Sequence, residues 1–373
     1  MLANRVQVWR LVALAAILWG IPALARAQQH TPAAAVTRDD LLKYVDATGN
    51  VRDVTSVEDW NQRRRSVLAA MQSVMGVLPP REGSPPNAKV LGEVDCGQYV
   101  RRQVEYESQP GTMTSAYLCV PKALLHDSSK KSPAIVCLHP TDNVNGNKVV
   151  VGLGGKANRQ YASELAARGF VTLAPSYPLL AQYNPPLREL GWESGTLKAV
   201  WDNMRGIDWL QSLPFVDGDA IGAIGHSLGG HNAIYTAVFD HRIKVIVSSC
   251  GFDSYRDYYG GDPERWKPGQ GWTSNRYMPK LADYRGRLEA IPFDFPEMIA
   301  ALAPRHFLAI APLHDGNFRA ESVDQVLTAA RPVFRLYQVE HRLITRHPDC
   351  GHDFPPEMRE AAYQLFEKQL HSE

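Results

Sequence analysis

The sequence has few of the features that mark metal-binding or nucleic-acid-binding proteins. Its five cysteines show no spacing typical of a metal site, and their odd number leaves at least one unpaired even under oxidising conditions. Acidic and basic residues nearly balance, at 39 and 40, so no strong positive field attracts nucleic acid or anionic lipid. Internal repeats and low-complexity tracts are also missing. We therefore expect no metal, no cofactor, no nucleic acid and, after processing, no membrane among the partners of the chain.

An apolar run occupies residues 11–24, with two arginines before or at its start and Ala25-Arg26-Ala27 at its end. This order is typical of a secretory signal peptide, residues 1–27, that is cleaved after Ala27. The run is too short, and too interrupted by glycine and proline, to favour a membrane span. We expect export to the periplasm or the cell exterior, as a mature chain with 37 basic and 39 acidic residues and a formal charge of −2.

The composition fits one large globular domain with an N-terminal extension. The 373 residues are 45% hydrophobic and 21% charged, which is enough to bury a sizeable core. Residues 28–95 are expected to form a helical extension and linker, because Thr37–Tyr44 and Val57–Met75 have helical spacing and Leu78–Pro86 is rich in proline, glycine and serine. Residues 96–373 are expected to form the main domain.

The main domain alternates strand-like and helix-like segments. It opens with strands Gln98–Ser108 and Ser115–Pro121, whose connection Gln109-Pro110-Gly111 predicts an antiparallel hairpin. The later elements are strands Ala134–Leu138, Val171–Pro175, Ala220–Ile224 and Val245–Ser249, and helices Tyr161–Arg168, Thr196–Gln211 and Asn232–Val238. This alternation predicts an α/β fold with a mostly parallel central sheet flanked by helices and a ligand site at the carboxyl ends of the strands. An insertion of about residues 251–304 follows the sixth strand.

The stretch Gly225-His226-Ser227-Leu228-Gly229 lies between an apolar strand and a helix-forming run. A serine on such a strand–turn–helix elbow has a cramped backbone, and the two flanking glycines let strand and helix approach closely. The five-residue pattern also arises by chance, but the strand before it and the helix after it are the context that it requires. We therefore predict that Ser227 is a nucleophile.

A serine nucleophile needs a histidine that takes its proton and a carboxylate that orients this histidine, in the chain order serine, acid, histidine. A buried strand that starts at His306 delivers Asp315 at its carboxyl end, before the turn Gly316-Asn317. A short strand, Leu343–Arg346, precedes a loop that contains His352. We predict Asp315 as the acid and His352 as the base.

Other residues offer alternatives for these roles. Asp253 follows the strand that ends at Ser249, and it could supply the acid from that neighbouring strand. It ranks second because the strand-then-turn context of Asp315 is cleaner. His226 and His231 are expected to pack or to form hydrogen bonds with the backbone. The side chain of His314 is expected to point away from the acid. Asp349 and Asp353 are expected to have turn or helix-cap roles.

On these motifs the chain resembles the α/β-hydrolases, and within that superfamily the dienelactone-hydrolase and acetyl-xylan-esterase-like serine esterases. The resemblance covers roughly residues 98–373, and its carriers are Leu138-His139-Pro140, Gly225-His226-Ser227-Leu228-Gly229, Leu313-His314-Asp315 and Gly351-His352-Asp353. It implies the α/β-hydrolase fold. Ser227 stands where dienelactone hydrolases proper use cysteine, which argues against their lactonase specificity and for an ordinary serine esterase.

The negative oxygen of an acyl-transfer intermediate needs two N–H donors. The first is expected to be the amide of Leu228, which follows the nucleophile at a helix N-terminus. The second is expected after the strand ending at Leu138, where the superfamily carries His-Gly and this chain has His139-Pro140-Thr141. Proline has no N–H, so Thr141 is the predicted second donor, and His139 is expected to brace the loop beside the substrate pocket.

The insertion after Ser249 is rich in aromatic residues and is expected to overhang Ser227. Aromatic faces with interspersed polar groups suit sugar rings, so Trp266, Trp272 and Tyr277 are predicted wall residues of the substrate pocket. The alternative is that such rings only attach an irregular insertion to the sheet, which for most of them is the better interpretation.

These features predict a secreted serine hydrolase that cleaves carboxylic esters through an acyl-enzyme intermediate, with an acetyl-xylan-type carbohydrate ester as substrate. Two alternatives stay open. A prolyl-oligopeptidase-like serine peptidase shares the fold but usually carries a large N-terminal propeller. A non-catalytic binding protein of this fold would lose triad members, whereas Ser227, Asp315 and His352 are all present.

Overall fold

The computed structural model describes residues 40–81, 84–127 and 129–371. The predicted signal peptide, residues 1–27, lies outside this part of the chain. Within the described part, no helix is long and apolar enough to cross a membrane.

Nine strands of the described chain form one sheet, and two form a separate hairpin. The hairpin pairs β1 (Lys43–Val45) with β2 (Val51–Asp53). The strands of the sheet are β3 (Ala88–Asp95), β4 (Tyr99–Gln109), β5 (Thr112–Pro121), β6 (Ser132–Leu138), β7 (Val171–Pro175), β8 (Val216–His226), β9 (Ile243–Ser249), β10 (His306–Ile310) and β11 (Leu343–Arg346). Their order in space is β11-β10-β9-β8-β6-β7-β5-β4-β3. All pairs from β11 to β7 are parallel, and the pairs from β7 to β3 are antiparallel.

Helices cover both faces of this sheet. The α-helices are α1 (Val57–Met75), α2 (Lys122–Leu125), α3 (Tyr161–Ala167), α4 (Gly195–Ser212), α5 (Leu228–Phe239), α6 (Phe295–Ala300), α7 (Ala320–Leu336) and α8 (Pro356–Leu370). Short 3₁₀ helices occupy Gly146–Val151, Tyr258–Gly261, Pro263–Trp266, Gly271–Thr273, Pro279–Tyr284, Leu288–Ala290 and Glu340–Arg342. The predicted α/β architecture is confirmed.

The two faces of the sheet carry two separate hydrophobic cores. On β8, Ile221 and Ala223 belong to the core that contains residues of α1 and α4 to α7. Ala220 and Ile224 point the other way, into the core that contains residues of α3 and α8. Successive side chains of a strand alternate between faces, and both faces are covered here. This explains why the central strands are apolar throughout.

The N-terminal part agrees with the sequence prediction at one helix and differs at two places. The helix Val57–Met75 is confirmed as α1, and Arg63 on it forms a buried ion pair with Glu297 of α6 at 2.8 Å. The predicted helix Thr37–Tyr44 is wrong within the described residues, because its end belongs to β1. The Asp46 side chain accepts hydrogen bonds from the backbone of the following turn, which closes the β1–β2 hairpin and competes with a helix.

The sheet also begins earlier than residue 96, the predicted start of the main domain. Strand β3 is an edge strand with every residue exposed, so it has no buried alternation that could reveal it. The insertion consequently follows the seventh strand of the sheet instead of the sixth. The predicted hairpin is confirmed as β4 and β5, with bounds within three residues.

Candidate active site

Ser227 lies on a strained elbow between β8 and α5. Its backbone has φ 55° and ψ −121°, a conformation that non-glycine residues rarely adopt. A Cβ on Gly225 would lie 2.1 Å from the carbonyl carbon of Gly229, and one on Gly229 would lie 1.9 Å from the Leu138 oxygen. Only glycine fits at these two positions. The predicted elbow is therefore present, and it leaves the Ser227 side chain partly exposed at the carboxyl end of β8.

His352 and Asp315 meet at this edge of the sheet. Both carboxylate oxygens of Asp315 lie 2.9 Å from His352 Nδ1. Since an ionised carboxylate only accepts hydrogen bonds, Nδ1 carries a proton, and Nε2 is the ring nitrogen left to take one from Ser227. The Asp315 side chain is 1% exposed and the His352 side chain 26% exposed. The acid is thus buried and the base reaches the surface of the site.

The surroundings of Asp315 keep it ionised. Burial alone would raise the pKa of this carboxyl. The hydrogen bond and charge of His352 and the amide of Asn317, 2.8 Å away, more than offset burial and lower the pKa below its ordinary value. Asn317 and Phe318 both donate backbone N–H groups to Asp315 Oδ1, which fixes the carboxylate in the turn after β10.

Asp253, the second candidate acid, sits nearby in a different environment. It is 2% exposed, and its Oδ2 accepts only the amide of Arg319 at 3.3 Å. Its Oδ1 has no hydrogen-bond partner in the described chain. Burial, together with the charges of Asp257, Asp294 and Asp315, raises the pKa of Asp253 to about 8. No described hydrogen bond joins it to His352, so the geometry favours Asp315 as the partner of the histidine.

Two residues that the sequence analysis missed hold the His352 loop. The Arg159 guanidinium donates to the Asp353 carboxylate and to the His352 carbonyl oxygen. Asn158 Nδ2 donates to the other Asp353 oxygen at 2.8 Å. Asp353 was expected to form a turn or cap α8, and instead it ties the loop to the segment before α3. No local motif marks this contact, because the partners lie almost 200 residues apart.

The backbone N–H of Leu228, the predicted oxyanion donor, lies directly after Ser227 at the start of α5. Leu228 is the first residue of α5, where backbone N–H groups have no partner inside the helix. Its buried side chain packs with Tyr177, Leu180 and Ala199, which fixes this end of the helix. The dipole of α5 adds to the attraction of a negative oxygen at this point.

The loop after β6 holds the two other residues predicted for this side of the site. Thr141 is exposed, and its Oγ1 lies 3.4 Å from the Tyr277 hydroxyl. His139 is 3% exposed; its Nε2 accepts from the Tyr177 amide at 3.0 Å and its Nδ1 lies 2.8 Å from the Pro140 oxygen. Burial lowers the pKa of His139 to about 4, so it is neutral. His139 therefore braces the loop, and its ring has no polar atom left for a substrate.

A series of rings joins the insertion to His352. The Trp272 ring stacks on Phe318 with centroids 6.1 Å apart, and the Phe318 ring lies 6.2 Å from that of His352. Tyr277 packs edge-on against Trp272 at 4.9 Å. The insertion thus reaches the site as expected. Trp272 is 5% exposed, whereas Tyr277 is half-buried and presents more of its ring.

Trp266 occupies a different position from the other two predicted wall residues. Its side chain is fully buried, and it packs edge-on against Tyr255 and Tyr258. Such a ring has no face to offer to a sugar. For Trp266 the structure supports the alternative interpretation, in which the aromatic residues attach the insertion to the sheet.

The remaining histidines near the motifs have the packing and surface positions expected of them. The His226 ring lies 4.9 Å from that of His352, and burial lowers its pKa well below the ordinary value. His231 is fully buried and stacks on Trp272 at 4.3 Å, and burial lowers its pKa to about 3. His314 pairs with Asp349 on the surface at 2.8 Å. None of these rings replaces His352 beside Asp315.

All five cysteines are unpaired in the structure. The Cys250 thiol instead donates to the Asp353 carbonyl oxygen at 3.3 Å. Its sulfur, the Asp315 carboxylate and a His352 nitrogen lie within 4.8 Å of one another, and they are the only described group of three side chains placed to hold a metal ion. Two of these side chains, Asp315 and His352, already satisfy each other by hydrogen bonding.

A model of the fungal glucuronyl esterase family matches residues 191–337, a segment that includes Ser227 and Asp315. The putative hydrolase YtaP of Bacillus subtilis is 33% identical over 127 residues, which cover 34% of this chain and 38% of that protein. The chain spans half or less of the length of the curated relatives that it matches.

Solved structures resemble the chain over almost its full length. A glucuronoyl esterase from Solibacter usitatus has a TM-score of 0.72 at 20% identity, with 91% of this chain and 100% of that chain covered. An acetyl xylan esterase candidate from Bacteroides fragilis has a TM-score of 0.54 at 18% identity, with 79% and 76% covered. The comparisons confirm the α/β-hydrolase fold and the resemblance to esterases of this superfamily.

Proposed function

We propose that this α/β-hydrolase is a secreted serine esterase that cleaves carboxylic esters of carbohydrates. The observation that carries the proposal is the pair of 2.9 Å contacts between Asp315 and His352, beside the strained elbow that presents Ser227. The family match and the similar solved structures support the same conclusion.

In the first half of the reaction, Ser227 Oγ attacks the ester carbonyl carbon, and its proton passes to His352 Nε2. Asp315 stabilises the imidazolium through the proton on Nδ1. The carbonyl oxygen becomes negative and accepts hydrogen bonds from the Leu228 amide and, in this proposal, the Thr141 amide. The intermediate then collapses, the bond to the alcohol oxygen breaks, and His352 returns its proton to the departing alcohol. The acyl group is left on Ser227.

The second half repeats these steps with water. His352 Nε2 takes a proton from a water molecule as its oxygen attacks the acyl carbon, and the same two amides hold the negative oxygen. Collapse releases the carboxylic acid, and the proton on His352 returns to Ser227 Oγ. Neutral His352 is required at the start of each half, because only the neutral ring has a nitrogen free to accept a proton.

The comparisons and the shape of the site support a choice of substrate class. Two kinds of carbohydrate ester are possible: an acetyl group on a sugar hydroxyl, or an ester of a sugar's own carboxyl group. The glucuronyl esterase family match and the TM-score of 0.72 favour the second kind over the acetyl-xylan type expected from sequence. We therefore propose esters of glucuronic acid units as the primary substrates.

A large cavity beside the insertion supports an extended substrate. It has a volume of about 800 Å³ and lies between residues 179–193 and the insertion. Asn275 and Pro279, on either side of Tyr277 in the chain, both line it. This volume is within the range of pockets that hold organic ligands larger than one sugar ring. Part of the alcohol or of the polysaccharide chain would occupy it.

The alternative functions are less well supported. A peptidase of the prolyl-oligopeptidase kind would carry a propeller, whereas residues 40–81 form a small hairpin and one helix. A non-catalytic protein of this fold would have no reason to keep a buried carboxylate in contact with a partly exposed histidine beside a strained serine.

A substrate panel tests the proposal. The mature protein should hydrolyse a methyl or benzyl ester of glucuronic acid faster, by kcat/KM, than acetylated xylan, with little activity on peptide amides. A fluorophosphonate should label Ser227, and Ser227→Ala should abolish labelling and nearly all ester hydrolysis while the melting temperature stays close to that of the parent. Activity that persists in Ser227→Ala would overturn the mechanism. A preference for acetylated xylan would overturn only the choice between the two kinds of ester.

A further inference from the structure

A second cavity lies at the edge of the sheet opposite Ser227. Its lining includes Lys244 and His306, at the starts of β9 and β10, and Arg342, just before β11. The catalytic side chains follow the carboxyl ends of the same part of the sheet, so the strands separate the two sites. The cavity has a volume of about 580 Å³, which is the size of a small-molecule site.

The lining of this cavity is rich in positive charge. Four of its residues are arginine or lysine, two more are histidine, and none is aspartate or glutamate: the six are Arg64, Lys244, Arg305 and Arg342, with His241 and His306. The whole chain, by contrast, has almost equal numbers of acidic and basic residues. The positive charge is thus concentrated here by the fold.

The two innermost guanidinium groups have carbonyl oxygens as their described partners. Arg305 donates to the oxygens of Leu302, Ala237, Asp240 and Ile243, among others. Arg64 donates to the oxygens of Val238 and Ala301. Except for the Ile243 oxygen, which is in β9, these carbonyls lie at or just after the carboxyl ends of α5 and α6, whose dipoles attract cations. The bonds hold both guanidinium groups in place without supplying a full negative charge.

The nearest carboxylate does not neutralise the cavity. Asp240 lies close enough to affect Arg305 and His241, but both of its oxygens already accept hydrogen bonds from the Arg242 guanidinium. Lys244 is exposed, and neither the salt bridges nor the hydrogen bonds of the described chain involve its ammonium group. Arg342 donates to the Pro304 oxygen through Nη1, while its Nε is buried without a described partner.

The acid–base behaviour of the cavity agrees with a surplus of positive charge. Burial and the charge of Arg64 lower the pKa of Arg305 to about 9. Burial and the neighbouring Arg342 lower the pKa of His306 to about 4. Burial and the Arg64 charge also lower the pKa of His241. Each of these groups loses part of its affinity for protons, chiefly through burial and to a smaller extent through the neighbouring cations.

From this geometry we propose that the basic cavity binds a small organic anion through a phosphate or sulfate group. The tetrahedral oxygens of such a group suit guanidinium and ammonium donors that converge from several elements. An inorganic ion would leave most of the 580 Å³ empty, so the group is carried as an ester on an organic body of about the size of a sugar. Lys244 and Arg342 supply the contacts to the anion, and the half-buried Arg64 and Arg305 supply the field that attracts it.

Isothermal titration of the mature protein tests this site at constant ionic strength, with inorganic phosphate, glucose 6-phosphate and glucose as probes. Glucose 6-phosphate should bind saturably and more tightly than inorganic phosphate, and glucose should not bind. Lys244→Gln and Arg342→Gln should each weaken binding about tenfold, the effect of losing one hydrogen bond to a charged group. Lys131→Gln, which removes an exposed lysine just before β6, is the matched control and should bind like the parent.

Lys244 is exposed, so its variant should keep the fold even if Arg342→Gln does not. The proposal is overturned if neither phosphate probe binds saturably, or if Lys244→Gln and Lys131→Gln have the same effect. Equal affinities for the two phosphate probes would support the anion site but would contradict the proposal that the organic part of the ligand contributes to binding. Ester hydrolysis is not part of the measurement, so the result is independent of the function proposed for Ser227.

Discussion

Arg159 donates to the carboxylate of Asp353, the residue that directly follows His352, although the two lie 194 positions apart in the chain. Arg159 is 5% exposed at its side chain and also donates to the His352 carbonyl oxygen. The loop that carries His352 is therefore held in place by the nearly buried guanidinium group of Arg159. Asp315 orients the imidazole ring itself, and Arg159 sets where the backbone of that residue lies.

Replacement of Arg159 should impair turnover more than substrate binding. We expect Arg159→Gln to lower kcat by roughly 10²-fold, as about 1 Å of misplacement of a catalytic group can do, with KM nearly unchanged. Arg168→Gln is the control. Arg168 lies at the C-terminal end of α3 and pairs with Glu360 at the surface, so its replacement should change neither constant much. A loss of melting temperature without a change in kcat at 25 °C would show that Arg159 is only structural.

The identity of the catalytic acid can be settled by two isosteric variants. Asp315→Asn should lower kcat by roughly 10⁴-fold, because the amide favours the wrong tautomer of His352. Asp253→Asn should change kcat by less than tenfold, since no described hydrogen bond joins Asp253 to the histidine. Steady-state kinetics with a p-nitrophenyl ester measure both. The opposite ranking would identify Asp253, which follows β9, as the acid.

Asp253 also predicts a specific dependence of stability on pH. Its pKa is raised from 3.8 to about 8, mainly by burial, so the folded state keeps a proton that the unfolded state has lost over this interval. The stability of the parent therefore falls as pH rises from about 4 to 8 through this group. Asp253→Asn removes the titration and should gain melting temperature relative to the parent as pH increases. A difference in melting temperature that stays constant between pH 4 and 8 would contradict the buried, protonated carboxyl.

The aromatic residues of the insertion should divide into contact and packing roles. Tyr277→Ala should raise KM for a glucuronic acid benzyl ester about 2- to 10-fold, the loss expected from one ring contact, with a small acetyl ester that contains no sugar less affected. Trp266→Ala should leave KM unchanged and lower the free energy of unfolding by about 3 to 5 kcal/mol, because it empties a buried site. Equal effects of Tyr277→Ala on both esters would argue against a sugar contact.

The sequence determined most of what depends on short-range order. Apolar strands and amphipathic helices alternate with the periods of a parallel α/β sheet, and the positions of β6 to β11 follow from this alternation. The elbow at Ser227 was predictable because its two glycines and the strand and helix beside it are contiguous. Asp315 and His352 were identifiable because each follows the carboxyl end of a strand, and parallel strands bring those ends together.

Strand β3 and the β1–β2 hairpin were not predicted from the sequence, and the reason lies in their own residues. All residues of β3 are exposed, so no burial pattern distinguishes it from a linker. In the β1–β2 hairpin, hydrogen bonds from one aspartate side chain to the turn outweigh a weak helical pattern.

Only the tertiary structure decided between residues of equal chemical type. Asp315 and Asp253 are both aspartates after a strand, and the distance to His352 separates them. Trp266 and Tyr277 are both aromatic residues of one insertion, and burial separates them. The clamp of Arg159 on Asp353 and the basic cavity around Lys244 and Arg342 join side chains from distant parts of the chain. Such contacts depend on how the helices and strands pack in three dimensions, so the spacing of residues along the sequence does not predict them.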